Sequence, residues 1–98
     1  MKKLIQDNYD SIVKRGLITS STNSKDFIKK LDEEVKEFKE CIDIIAKVDK
    51  VKKQHFDNLD EELADIILVC LNFAKHYNID IEKQLIKKIK KNYERASI

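Results

Sequence analysis

The sequence predicts an all-α fold: a four-helix antiparallel module, formed by one domain over residues 1–98, that oligomerises through its helices. The chain contains no proline and one glycine, so the tight turns of a β-sheet would be hard to form. Charged residues make up 39% of the chain and hydrophobic residues 42%, as expected for amphipathic helices with solvated outer faces. Apolar residues recur at steps of three and four along most of the chain, which is the helical period.

The first helix is predicted over residues 3–15. Its apolar face carries Ile5, Tyr9, Ile12 and Val13. Gly16 follows directly, at a position where a left-handed residue often ends a helix. A linker over residues 17–24 follows, with residues 19–24 as its polar part, and its last residue, Ser24, is a favourable N-cap for the next helix.

The second and third helices, predicted over residues 25–46 and 57–77, carry the longest apolar stripes. The stripe of the second helix is Ile28, Leu31, Val35, Phe38, Ile42 and Ile45, and that of the third is Leu59, Leu63, Ile66, Cys70, Phe73 and Tyr77. Asn58 and Glu61 have the spacing of a capping box at the start of the third helix. Because further apolar residues widen its face, the third helix is expected to be the most buried.

The fourth helix is predicted over residues 80–95 and begins at Asn78 or Asp80. Its apolar positions are Ile81, Leu85, Ile86, Ile89 and Tyr93. Its polar positions include Lys88, Lys91, Asn92 and Arg95. A basic helix end is often only a solvated terminus that suits the helix dipole. Beside a group of carboxylates that holds a metal ion, the same residues would be a candidate phosphate clamp.

An acidic pattern occurs twice in the chain, with an offset of 28 residues. Residues 31–38 read Leu-Asp-Glu-Glu-Val-Lys-Glu-Phe, and residues 59–66 read Leu-Asp-Glu-Glu-Leu-Ala-Asp-Ile. Each copy places two carboxylates three residues apart beside the apolar stripe, at Glu34 with Glu37 and at Glu62 with Asp65. Side chains at this spacing are neighbours on a helix surface, with Cβ atoms roughly 5–6 Å apart.

The two acidic pairs can meet only if the chain reverses between them. In an antiparallel helical hairpin, level residues are equidistant from the turn, so the turn must be centred near Asp49 and Lys50. The segment 47–57 contains no clear helix breaker. A continuous helix through this segment would hold the two pairs roughly 40 Å apart and would exclude a shared site.

Four converging carboxylates would raise one another's pKa values unless a cation bound between them. All-oxygen ligands favour Mg²⁺, with Mn²⁺ as a substitute, and Mg²⁺ commonly binds through carboxylates together with substrate phosphates. Neither His55 nor His76 has the spacing to the acids that di-iron bundles use, and both are expected at the surface. A single pair of acids is usually a solvated feature, but the repetition in register predicts a metal site. The predicted metal ligands are Glu34, Glu37, Glu62 and Asp65.

Other features of the composition bear on partners and location. The formal net charge of +2 is too small to argue for binding a nucleic acid polymer. The sequence has no signal-peptide pattern and no apolar window of the length that a membrane span needs. Cys41 and Cys70 are expected to be free, buried thiols, which favours a reducing, cytoplasmic location.

The ordered set of acids resembles that of the MazG-like, all-α nucleoside triphosphate pyrophosphohydrolases, whose superfamily includes dimeric dUTPases, dCTP pyrophosphatases and phosphoribosyl-ATP pyrophosphohydrolase. The family pattern is EExxE, a spacer and ExxD. This chain has Glu33-Glu34-Val35-Lys36-Glu37, then 24 residues, then Glu62-Leu63-Ala64-Asp65. Lys91, Asn92 and Arg95 match a later cluster on the family's last helix. The chain lacks the tryptophan that some relatives place against the base, and its first helix carries no motif that would place base recognition.

The resemblance implies a Mg²⁺-dependent hydrolase that converts (deoxy)nucleoside triphosphates to monophosphates and pyrophosphate. The four acids would bind the metal ion, either Glu34 or Glu37 would act as base, and Glu33 would orient the set. The residues that would contact phosphates or sugar are Lys88, Lys91, Asn92 and Arg95. Because sites of this family lie beside subunit interfaces, a homodimer is the minimum expectation and a homotetramer the alternative.

Two other functions fit the same residues. Phosphoribosyl-ATP hydrolysis is the alternative within the family. The alternative from another class is a non-catalytic helical module that dimerises or binds a partner helix, in which the heptad stripes form the interface and the acids are simply solvated.

Overall fold

The computed structural model describes residues 1–96, which form four helices and no strand. The helices are α1 (Lys2–Lys14), α2 (Ser24–Lys47), α3 (Lys53–His76) and α4 (Ile81–Ala96). The predicted all-α, four-helix module is therefore confirmed. Helix α3 packs along α2 in a hairpin and also against α1, whereas α4 makes little contact with the other three helices. Over the same residues, no helix has both the length and the apolar content that crossing a membrane requires.

The capping residues explain where α1 ends and α2 begins. Gly16 has a φ of +74°, so the predicted left-handed C-cap is confirmed. Helix α2 begins one residue earlier than predicted, because Asn23 rather than Ser24 is the N-cap. The Asn23 Oδ1 accepts the Asp26 N–H at 3.2 Å, and the Asp26 Oδ2 accepts the Asn23 N–H at 2.9 Å. This reciprocal pair satisfies two backbone donors that a helix start otherwise leaves free.

The start of α3 differs most from the prediction. The helix begins at Lys53, four residues before the predicted start, so Asn58 lies inside it and the predicted capping box of Asn58 and Glu61 is wrong. His55 also lies inside the helix, where its Nδ1 accepts the backbone N–H of Lys52 at 2.9 Å. A histidine ring thus takes the role that a Glu or Gln side chain usually has at the third helical position of a capping box.

The connection from α3 to α4 contains both residues that were predicted to begin the fourth helix. Asn78 has a φ of +54°, a left-handed conformation that asparagine tolerates better than most residues. Asp80 precedes the first residue of α4, and its Oδ1 accepts the Lys83 N–H at 3.2 Å. Asp80 therefore caps α4, which confirms one of the two predicted starts.

The core is small and is centred on α3. Its buried apolar residues are Ile18, Phe27, Val69, Leu71 and Ala74. Most of them lie on α3, which confirms it as the most buried helix. The ring of Phe27 packs edge-on against Phe73, with centroids 5.5 Å apart. Ile18 comes from the predicted linker, just before its polar part, so the linker supplies part of the core.

His76 ties α1 and the linker to α3, which corrects the expectation that it lies at the surface. It is half-buried, and the Tyr9 hydroxyl lies 2.8 Å from its Nδ1. Its Nε2 lies 2.9 Å from the carbonyl oxygen of Thr22. Because a carbonyl only accepts, Nε2 carries the proton, and in the neutral ring Nδ1 then accepts from the tyrosine.

Several residues predicted to lie in the core are exposed in the single chain. Ile28, Ile42 and Leu63 are exposed on α2 and α3, and so are Leu85, Ile86, Ile89 and Tyr93 on α4. Both cysteines are free, as expected, but Cys41 is half-buried and Cys70 is exposed, so their predicted burial is wrong. The common reason is that no further helix of the described chain covers these faces.

Candidate metal centre

The reversal between α2 and α3 sets the register of the acidic pairs. The connection consists of residues 48–52, so it is centred where the spacing of the acids requires. Glu34 and Asp65 are equidistant from this turn, and so are Glu37 and Glu62. The hairpin therefore faces each acid of α2 with an acid of α3.

Three of the four predicted metal ligands converge in the structure. One carboxylate oxygen from each of Glu34, Glu62 and Asp65 lies within 4.8 Å of the other two. Glu37 adjoins this group, and its carboxyl raises the pKa of Glu62. We call these four residues the acidic cluster. Their convergence agrees with the predicted site, and their role as metal ligands stays a prediction.

Two oxygens of the acidic cluster are shielded from water and have no partner among the described residues: Glu34 Oε2 and Glu62 Oε2. Glu34 is only 6% exposed. Its other oxygen, Oε1, forms an ion pair with the Lys30 Nζ at a distance of 3.0 Å. Buried acceptors without partners are costly. Oxygens of this kind, held a few ångströms apart, fit a small divalent cation that prefers oxygen ligands.

The pKa values show the repulsion within the acidic cluster. The pKa of Glu62 is raised to about 7, first by desolvation and then by its hydrogen bond and charge interaction with Glu37. Desolvation and the charge of Glu34 raise the pKa of Asp65, against the opposing charge of Lys30. The hydrogen bond to Glu34 raises the pKa of Lys30. A cation bound here would replace the proton that the acidic cluster otherwise tends to take up.

A cavity of about 450 Å³ opens beside the acidic cluster, and Glu34 and Asp65 form part of its wall. The rest of the wall comes from α1, the linker and the adjoining faces of α2 and α3. It includes Asn8, Ile12, Ile18, Phe27, Val69 and Asn72. Lys30 also lines the cavity, and sequence reasoning missed it. Its position four residues before Glu34 is the spacing of a helical ion pair and was the available signal.

The predicted substrate-binding residues of α4 are not brought to the acidic cluster within the single chain. Lys88, Lys91, Asn92 and Arg95 are exposed. Across residues 1–96, the ion pairs and side-chain hydrogen bonds join none of these four side chains to an acid of α2 or α3. Their role in binding substrate stays a prediction.

Comparison with known proteins identifies a family. The model of the MazG nucleotide pyrophosphohydrolase domain matches residues 22–97, which is most of the chain. The match includes both acidic pairs, and it begins after α1. Searches of curated proteins and of solved structures gave no match.

Proposed function

The chain belongs to the MazG nucleotide pyrophosphohydrolase family, and we propose that it is a Mg²⁺-dependent enzyme that hydrolyses (deoxy)nucleoside triphosphates to monophosphates and pyrophosphate. The observation that carries the proposal is the acidic cluster with its two buried, unpartnered oxygens. Solvated surface acids would have no reason to converge at such an electrostatic cost.

Glu34, Glu37, Glu62 and Asp65 would hold the cation, which is Mg²⁺ or, as a substitute, Mn²⁺. When bound, the cation would supply Lewis acidity toward the phosphate oxygens, lower the pKa of water and align the triphosphate. The carboxylates would hold this arrangement rigidly, because they lie on two long helices that pack against each other.

The chain's own side chains would divide the remaining work. Glu34 or Glu37 would accept a proton from the attacking water, whose oxygen bonds to phosphorus as the bridge between the α- and β-phosphates breaks. Lys30 lies at the cavity wall beside Glu34, where its ammonium group would face the entering phosphates. Lys30 would thus compensate negative charge both before and after substrate binds.

The basic residues of α4 would bind phosphates or sugar once α4 is packed against another surface. Those residues are Lys88, Lys91, Asn92 and Arg95. The apolar side of α4 is exposed from Leu85 to Tyr93, and Ile86 is 64% exposed. We propose that a second copy of the chain covers this face, so that the active form is a homodimer or a homotetramer. The two free cysteines suit a reducing, cytoplasmic location.

Pyrophosphate release tests the proposed activity. Purified, folded protein is incubated with each nucleoside triphosphate and with phosphoribosyl-ATP, in Mg²⁺ and then in excess chelator. We expect turnover only with the metal ion present. If no substrate is hydrolysed, the non-catalytic dimerisation or partner-binding module becomes the better explanation of the exposed apolar faces.

Two variants test the proposed ligands. Glu37→Gln and Asp65→Asn keep the shape of each side chain and remove its charge, so both are expected to abolish turnover with little loss of helicity by circular dichroism. Asp60→Asn is the matched control, because Asp60 is exposed on α3, the helix that carries Asp65, and lies outside the acidic cluster. Substantial unfolding of either test variant would mean that the residue has a structural role instead.

A further inference from the structure

We propose that the cavity beside the acidic cluster binds the nucleoside part of the substrate, and that the amide pair of Asn8 and Asn72 recognises the hydrogen-bonding edge of its base. This inference rests on the proposed function, because it assumes that the phosphates lie at the acidic cluster. It identifies the base-recognition residues, which have no sequence motif in this chain.

The position of the cavity supports a nucleoside site. Its volume of about 450 Å³ lies within the range of roughly 300–1,000 Å³ that is usual for small-molecule pockets. Glu34 and Asp65 form one side, so a molecule with its phosphates at the acidic cluster can extend directly into it. Apolar side chains form other parts of the wall, namely Ile12, Ile18, Phe27 and Val69. Such a surface suits the flat face of a base.

The polar feature of this wall is a hydrogen bond between two amides. The Asn8 Nδ2 donates to the Asn72 Oδ1 at 2.7 Å, which joins α1 to α3. Asn72 is only 7% exposed. The bond uses one group of each amide and leaves one carbonyl oxygen and one NH₂ group. Among residues 1–96, neither the Asn8 Oδ1 nor the Asn72 Nδ2 has a hydrogen-bond partner, although both side chains line the cavity.

An acceptor and a donor held side by side match the edges of the nucleobases. Uracil, thymine, guanine and hypoxanthine present a carbonyl oxygen beside a ring N–H, whereas cytosine and adenine present an amino group beside a ring nitrogen. A pair of amides can serve either edge. The inference therefore assigns nucleotides with an intact base as the substrate class, and triphosphates without a base would bind poorly.

Replacing Asn72 with Asp tests whether the amide pair recognises the base. The Asn8 NH₂ group can still donate to the new carboxylate, but the Asn72 NH₂ donors are lost and a second acceptor takes their place. The altered pair should then favour guanine, which presents two adjacent donors in its ring N–H and 2-amino group, over the other bases, which each present one donor beside one acceptor. A buried side chain that only supported the fold would give a loss of activity common to all bases.

The experiment measures kcat/KM in Mg²⁺ for dUTP, dTTP, dGTP, dCTP and dATP, together with the inhibition constant of inorganic tripolyphosphate. For Asn72→Asp we expect kcat/KM to fall at least tenfold more for dUTP, dTTP, dCTP and dATP than for dGTP. The inhibition constant of tripolyphosphate should stay within twofold, because this molecule has no base. Tripolyphosphate should bind to the wild type at least tenfold more weakly than the preferred nucleotide does. Asn58→Asp, an exposed change on the same helix, should leave the ratios among bases unchanged.

The outcomes separate this inference from the proposed function. If the wild type hydrolyses nucleotides but Asn72→Asp leaves the ratios among bases unchanged, the base-reading role is refuted and the proposed function stands. If the wild type hydrolyses nothing, the proposed function fails, and NMR titration with dUMP and dCMP still shows whether resonances of the cavity respond. If Asn72→Asp does not fold, Asn8→Asp tests the same shift, because Asn8 is only half-buried.

Discussion

Replacing Glu62 with Gln should stabilise the metal-free protein at neutral and alkaline pH while removing one of the proposed metal ligands. The carboxyl of Glu62 is partly desolvated and lies against three other acids, which raises its pKa from 4.5 to about 7. Glutamine keeps the shape and removes the ionisable group. It can also donate to the Glu37 carboxylate, which the ionised Glu62 cannot do.

The expected magnitude follows from the pKa and from the geometry. Each unit of pKa corresponds to about 1.4 kcal/mol, so the rise from 4.5 to about 7 sets an upper limit of about 3.5 kcal/mol for this site. Two charges 4.8 Å apart give a similar figure, roughly 3.5 kcal/mol at an effective dielectric constant of about 20. Because Glu62 is only half-buried and water screens its charge, we expect about 1–2 kcal/mol of stabilisation at pH 8.

The pH dependence has a definite sign. Below pH 4.5 the carboxyl is protonated in the folded and the unfolded chain, so the wild type retains its full stability. Between pH 4.5 and about 7 the unfolded chain releases the proton more readily, and the wild type loses stability. The variant does not titrate at this position. Its advantage should therefore grow across this interval and be constant above it.

Urea denaturation followed by circular dichroism measures this difference at pH 5, 6, 7 and 8, with a chelator and at one fixed protein concentration. A thermal melt should show the same difference, because in a domain of this size each kcal/mol of unfolding free energy corresponds to roughly 4–8 °C in Tm. Asp60→Asn is again the control, because it removes an exposed carboxylate of the same helix outside the acidic cluster. Parallel curves for the wild type and Glu62→Gln, or a less stable variant at pH 8, would refute the electrostatic reasoning. Added Mg²⁺ should stabilise the wild type more than the variant.

Three further results are expected. Mg²⁺ affinity, measured by calorimetry, should rise by up to tenfold per pH unit below about pH 7 and then become constant, because binding must displace the proton shared in the acidic cluster. Lys30→Met should raise KM for nucleoside triphosphates about tenfold in steady-state assays by removing a cation from the cavity wall, whereas Lys29→Met should have little effect. Gly16→Ala should lower the unfolding free energy by about 1 kcal/mol in urea, because the φ of +74° is unfavourable for alanine although no atom lies within 4 Å of the added Cβ.

The periodic features of the sequence were sufficient to predict the helices and the position of the acids. The spacing of Glu34, Glu37, Glu62 and Asp65 requires a reversal centred in residues 48–52, and the structure has it there. These properties depend on local helical geometry, which is the same in every protein. The start of α3 was not predictable in this way, because it depends on an unusual cap by His55.

The core and the cavity depend on contacts that are distant in sequence. Ile18 is buried because the linker folds against α3, and His76 fixes the linker there through the Thr22 carbonyl. Asn8 meets Asn72 across 64 positions of the chain. No periodicity within either segment contains this information.

The charge balance of the site argues that α4 has a part in binding substrate. With its acids ionised, the acidic cluster would retain a net negative charge even after one divalent cation had bound and Lys30 had been counted. A triphosphate adds further negative charge, so additional cations are needed to hold it. Lys88, Lys91 and Arg95 supply such charges on a helix whose apolar side is exposed. Packing that side against a second chain would cover the apolar face and could also bring these cations within reach of a nucleotide.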